Sequence, residues 1–139
     1  MKFILPLALM ALTAMAQARA VTDAEVMRVQ RSALLIDTHN DIPSRTVDGF
    51  DIGPLNTSDK PTHTDVVRLK QGGVGAVFFA AYVASNWVNG NHSANRALQI
   101  IDTIRHDIVG KYPNDFEFAT TADQIEAAHK HGKIAALIG

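Results

Sequence analysis

Residues 34–45 read LLIDTHNDIPSR, and the way this stretch ends decides the reading of the chain. An apolar run, Ala33 to Ile36, stops in Asp37, His39 and Asp41, spaced two apart, and Pro43 closes the segment. A short continuous apolar run is the pattern of a strand buried on both faces, as in a parallel sheet. In an extended segment, side chains two apart share a side. Asp37, His39 and Asp41 are therefore expected to converge at the carboxyl end of a strand, while Thr38 and Asn40 point away. Charged groups in that position are costly unless bound or paired.

The flanking sequence supplies the rest of the fold. Val21 to about Ala33 reads as a helix: Thr22 with Glu25 makes a capping box, and Val21 with Val26 can form a hydrophobic staple. Residues 42–63 carry Pro43, Gly49, Gly53, Pro54 and Pro61 and read as a long loop, a length that is uncommon without a function. TDVVRLKQGG (64–73) reads as a short helix capped by Thr64 or Asp65 and stopped by Gly72 and Gly73. VGAVFFAAYV (74–83) is a second buried strand, and residues 86–91 are polar and turn-like.

Ser93 to Tyr112 shows the clearest helical periodicity, with Ala94, Ala97, Leu98, Ile101, Ile104, Ile108 and Tyr112 as its apolar face, and Pro113 ends it. TADQ (121–124) is another capping box, opening a helix that stops at Gly132, and KIAALIG (133–139) is a third buried strand. Apolar strands separated by amphipathic helices define an α/β class with parallel pairing and right-handed crossovers. An open doubly wound sheet and a (β/α) barrel both fit.

A formal net charge of −1, with 19% charged and 47% hydrophobic residues, is an ordinary globular composition. It argues against a nucleic-acid partner, and no basic run suggests one. The absence of cysteine excludes thiolate zinc sites and disulfides within this sequence. Residues 1–20, MKFILPLALMALTAMAQARA, have a positive start at Lys2, an apolar stretch to about Ala14 and an A-x-A ending at Ala18-Arg19-Ala20. This reads as a secretory signal peptide rather than a membrane anchor, the apolar run being shorter than the ~20 residues needed to span. Residues 21–139 are then expected to be exported, periplasmic or secreted, with no stable membrane anchor after cleavage.

Imidazole nitrogen and carboxylate oxygen suit zinc, so the H-x-D pair His39 and Asp41 can offer two ligands from one rigid element. Asp37, one step deeper, is placed to orient His39. A second H-x-D, His63-Thr64-Asp65, lies in a polar loop and is better explained by helix capping. His129 and His131 precede Gly132 in a last helical turn, where they complement the helix dipole. His106 reads as a surface residue, His92 carries no assigned role, and Tyr82 and Trp87 read first as packing residues at the end of the second strand.

LLIDTHNDIP, HTDVVRLKQGGVGAVFFAAYV and FATTADQIEAAHKHGKIAALIG together resemble the renal (membrane) dipeptidase family, in the same order. The resemblance covers nearly all of residues 21–139, but only the opening part of a family member. It implies the amino-terminal part of a (β/α)8 TIM-type barrel of the metallo-dependent hydrolase kind, incomplete in this chain. It also implies two zinc ions (Zn2+) per active site, with His39 and Asp41 on one of them. The activity implied is hydrolysis of small dipeptides, including those with a D-residue at the carboxyl end.

The family's bridging glutamate, in an E-G-G motif, would follow Gly139, and the later histidine ligands, substrate-binding residues and catalytic aspartate have no counterpart here. No catalytic residue is therefore assigned to this chain, and by itself it is expected to be inactive and poorly folded. A homodimer is left open for the full-length protein. Two other readings are a non-catalytic exported protein that binds a metal or small ligand, and another amidohydrolase-like enzyme. Many of the latter carry H-x-H where this chain has H-x-D.

Overall fold

The computed structural model describes residues 19–139, so the expected signal peptide falls outside the described residues except for Arg19 and Ala20. Helix α1 (Asp23–Ser32) opens with the expected capping box: the Thr22 hydroxyl accepts from the Glu25 N–H, and the Glu25 carboxylate accepts from the Thr22 N–H at 3.0 Å. The staple does not close, because Val21 and Val26 both stay exposed and α1 buries no side chain. Its tie to the neighbouring structure runs through the Gln30 amide, which donates to the Gly72 carbonyl.

The chain continues through β1 (Leu35–Asn40), the short α2 (Pro43–Thr46), α3 (Val66–Gln71) and β2 (Val74–Phe79). A 3-10 segment (Ser85–Asn91) leads into α4 (Ser93–Thr103), which runs on as a π-helical turn over Ile104–Gly110. Strand β3 (Phe116–Phe118), α5 (Ala122–Lys130) and β4 (Ile134–Ile138) complete the described chain. All strand pairs are parallel, and the sheet order is β1-β2-β4-β3. Three strands were expected. The fourth, β3, has only three residues and no local periodic signal, and it exists because Phe116–Phe118 pair with Ile134–Ala136 of β4.

Strand alternation divides the core into two layers. Val77 and Phe79 of β2, Ile134 and Ala136 of β4 and Phe116 of β3 pack with Val66 and Leu69 of α3 and Ile100 of α4. The intervening residues, Ala76 of β2 and Ala135 and Leu137 of β4, pack with Ile125 and Ala128 of α5. Phe79 and Phe116 meet edge to face with ring centroids 5.9 Å apart, one of the favoured aromatic geometries.

Two sequence expectations change here. The buried face of α4 and its π continuation is Arg96, Ile100, Thr103, Ile104 and Ile108, whereas Ala94 and Leu98 are exposed. Burial of Arg96 sets this face, and the π turn, with its wider hydrogen-bond spacing, then carries Ile108 back to the sheet. Second, β1 is not buried on both faces: Leu35 is 40% and Ile36 37% exposed, because among the described residues the strand has a partner on one edge only and α1 buries no side chain against it.

The helix caps follow the sequence more closely. Asp65, fully buried, caps α3 by accepting from the Arg68 N–H at 2.9 Å. Thr121 caps α5 by accepting from the Gln124 N–H at 3.3 Å. The return bond of that second box slips by one residue, since the Gln124 side chain takes the Thr120 N–H at 2.7 Å.

Candidate metal centre

β1 ends at the carboxyl edge of the sheet, the side on which parallel α/β folds assemble their sites. His39 and Asp41 meet there, with His39 Nε2 3.2 Å from Asp41 Oδ1. Their side chains are 68% and 61% exposed, so both heads are open to a ligand. Two donors each ~2.0–2.2 Å from one tetrahedral zinc lie roughly 3.3 Å apart. The observed separation thus suits joint coordination as well as it suits a hydrogen bond.

Asp37 plays a different part from the one expected. Its Oδ1 accepts from the His39 backbone N–H at 3.2 Å, and its Oδ2 accepts from Asn40 Nδ2 at 2.8 Å. It therefore fixes the backbone of the ligand-bearing residue and does not touch the imidazole. Asn40 is drawn to the same group because the β1–β2 register shifts between Asp37 and Asn40, which breaks the simple alternation. The Asn40 amide also donates to Thr64 Oγ1 at 3.1 Å, and its Oδ1 accepts from the Ile42 N–H at 3.1 Å. Asn40 thereby ties the end of β1 to the segment that enters α3.

Among the described residues, no group of three or more His, Asp or Glu side chains is placed to hold a metal ion. The donor set is a pair, one short of the three protein ligands usual for a catalytic zinc. The other histidines keep to structural places. His63 is exposed in its loop. His106 Nδ1 lies 2.9 Å from Asp102 Oδ1 on the surface of the π turn. His131 Nδ1 lies 3.1 Å from Glu117 Oε2. His129 lines a cavity of about 310 Å3 at the amino ends of β2 and β4, together with Arg31, Lys70 and Lys133. Arg31, Lys70 and His129 each sit in the last turn of a helix, where positive charge offsets the carbonyl end.

A second cavity, of about 240 Å3, opens at the carboxyl edge. Ser44 and Asp48 line it from the chain after β1, Tyr82 and Trp87 from the chain after β2, and Arg96 from α4. The Ser44 N–H donates to the Asp41 carbonyl at 3.0 Å, so the cavity begins one turn from the pair. Trp87 packs, as expected, under the Arg96 guanidinium at 4.6 Å, but Tyr82 is largely exposed. Ser44, Asp48 and Arg96 were not singled out from sequence. A signal was present for Arg96, a charged residue in four-residue phase with Ile100, Ile104 and Ile108.

A parallel α/β sheet with a His–carboxylate pair at its carboxyl edge defines a candidate metallo-hydrolase. Residues 23–139 match the model of the membrane dipeptidases, peptidase family M19, and the chain belongs to that family. It is 35% identical over 121 residues to the dipeptidase verJ of Clonostachys rogersoniana, covering 76% of this chain and 30% of that protein. With the dipeptidase ataJ of Aspergillus terreus it shares 36% identity over 116 residues, covering 76% of this chain and 28% of that one. The chain thus spans under a third of the length of these curated relatives.

Among solved structures it resembles a metallopeptidase of the same family, dipeptidase AC, with a TM-score of 0.64 at 22% identity, covering 76% of this chain and 34% of that one. It also resembles a metallopeptidase from Rhodobacter sphaeroides bound to a phosphinate mimic of the dipeptide L-Ala-D-Ala. There the TM-score is 0.62 at 20% identity, over 76% of this chain and 37% of that one. These likenesses give the fold: part of the TIM-type barrel of metallo-dependent hydrolases, of which four strands are described here.

Proposed function

We propose that the whole protein is an exported zinc-dependent dipeptidase, with His39 and Asp41 as the first ligand pair of a two-zinc centre. The observation that carries this is the 3.2 Å approach of His39 Nε2 and Asp41 Oδ1 at the carboxyl end of β1, with both side chains open. Family membership and the dipeptide mimic held by the Rhodobacter sphaeroides relative support a small dipeptide as substrate. The D-residue in that mimic motivates acceptance of a carboxyl-terminal D-residue.

Zinc at such a site would acidify water and polarise the scissile carbonyl. The residues of this chain act around that chemistry. His39 and Asp41 hold one corner of the centre, while Asp37 and Asn40 lock the backbone that carries them. Two ligands do not make a catalytic site, so residues 21–139 alone would show no turnover. The A-x-A ending of residues 1–20 motivates export to the periplasm or medium, and no described helix is long and apolar enough to cross a membrane.

The test is the whole protein, assayed for bound zinc and for hydrolysis of L,D- and L,L-dipeptides before and after chelation. His39→Ala and Asp41→Ala should each lower zinc content and cut kcat/KM at least ~100-fold, since even partners one shell further out cost 10–100-fold. Unchanged zinc content and turnover in both variants would remove the pair from the centre. Cell fractionation checks the export claim separately.

A further inference from the structure

We propose that the cavity lined by Ser44, Asp48, Trp87 and Arg96 is a side-chain subsite that selects a neutral carboxamide, the group of asparagine and glutamine. This rests on the dipeptidase reading above and names a substrate class for it. Arg96 is only 8% exposed, although a guanidinium is costly to bury without partners. Among the described residues it makes one hydrogen bond, from Nη2 to Asp48 Oδ1 at 2.7 Å, and stacks on the Trp87 ring. A guanidinium carries five N–H donors, so most of its capacity is unused. The Ser44 hydroxyl is buried and has no hydrogen-bond partner among the described residues. Asp48 is largely exposed and keeps Oδ2 outside its pair with Arg96.

The cavity therefore offers unused donors from Arg96 and an unused acceptor from Asp48, within about 240 Å3. A carboxamide has the matching acceptor and donor on one planar group. An aliphatic side chain would leave both unmet. A carboxylate would satisfy Arg96 but face Asp48, and like charges at close range repel. The Ser44 N–H donates to the Asp41 carbonyl, so the cavity lies one turn along the chain from the ligand pair, and the subsite proposed here would take a side chain of a substrate held at that pair.

The test uses the whole protein and two dipeptide series, Xaa-D-Ala and Ala-D-Xaa, with Xaa as Gln, Glu or Leu. In one series, kcat/KM for Gln should exceed that for Leu by at least about tenfold and should also exceed that for Glu, as unpaired polar groups in a site penalise the wrong ligand. Which series responds identifies the dipeptide residue seated in the cavity. Asp48→Asn should narrow the Gln-to-Glu gap, and Arg96→Met should bring the Gln-to-Leu ratio towards one. The ratios are taken within each variant, so a general loss of activity does not imitate the effect. Equal kcat/KM for Gln and Leu in both series, or Glu favoured over Gln in the responding one, overturns the proposal. If no dipeptide is hydrolysed, the dipeptidase reading fails instead. Equilibrium dialysis of Gln-D-Ala against Leu-D-Ala, and of Ala-D-Gln against Ala-D-Leu, then still decides the cavity, with equal binding within both pairs overturning it.

Discussion

β1 and β4 both follow or contain a short apolar run and both pair in parallel with β2, yet they live in different surroundings. β4 has β2 on one edge and β3 on the other, with α4 and its π turn over one face and α5 over the opposite one. Among the described residues β1 has a partner on one edge, and its apolar residues Leu35 and Ile36 remain partly open. An apolar run states what a strand requires. Whether the requirement is met depends on neighbours that the run itself does not specify. Among the described residues, this margin is also where His39 and Asp41 stand.

The widest gap between interior and margin should appear in stability. Leu137→Ala in β4 removes a buried side chain packed in the α5 layer and should cost about 2–5 kcal/mol. Ile36→Ala in β1 should cost under about 1 kcal/mol if the strand is as open in the whole protein as it is here. Urea unfolding of the two variants of the whole protein measures both. Equal losses would break the comparison and show β1 covered by a further part of the protein.

Next in size is the contrast between two carboxylates. Asp65 is fully buried, receives N–H bonds from Arg68 and Asn56 at 2.9 and 3.2 Å, and faces Arg68 Nη1 at 3.0 Å. Asp65→Ala removes a helix cap and one half of a buried ion pair and should cost about 3 kcal/mol. Asp65→Asn keeps a capping oxygen and should cost less. The same denaturant titration reads both, and an Asn variant as damaged as the Ala one would show that the charge, not the cap, dominates. Smaller again is Gly53→Ala, where a Cβ would fall on the Tyr112 ring and hydroxyl. That overpacking should cost about 1–3 kcal/mol in the same assay.

Legibility followed the locality of each signal. The Thr22–Glu25 box, the Asp65 and Thr121 caps and the central strands β2 and β4 were readable, because propensity, capping and apolar pattern agree within a few residues. Phe116–Phe118 was not, because three residues become a strand only through β4. The buried face of α4 was misjudged because Arg96 is admitted to the interior by Asp48, 48 positions earlier, and by Trp87. The two-residue spacing anticipated the approach of His39 and Asp41, but not that Asp37 would hold the His39 backbone and the Asn40 amide, since the register shift that redirects Asn40 onto it is a property of the β1–β2 pairing.

The smallest expected effect concerns Asp51, the exposed counterpart of Asp65. The Tyr112 hydroxyl donates to Asp51 Oδ1, and this bond is the leading reason the carboxyl is held below its ordinary value of 3.8. The Gly53 N–H at 3.1 Å and Lys111 Nζ at 2.9 Å act in the same direction, while partial burial opposes them. A depressed folded-state pKa means the unfolded chain binds the proton first, so the stabilisation is complete above the ordinary aspartate value and is lost as pH falls through the depressed one. On the alkaline side the signs reverse. Burial first, and the Asp51 bond second, push the Tyr112 hydroxyl up, so its contribution is present below pH 10.0 and is lost as pH rises through the raised value. Tyr112→Phe deletes the leading cause on Asp51 and the titrating phenol together. Between about pH 5 and about pH 3 the variant's Tm should therefore fall by about 1–2 °C less than that of the unmodified protein, a small figure because the group is solvent-screened. Thermal melts across that range provide the comparison. Parallel acid limbs would assign the depression of Asp51 to Lys111 and Gly53 rather than to the tyrosine.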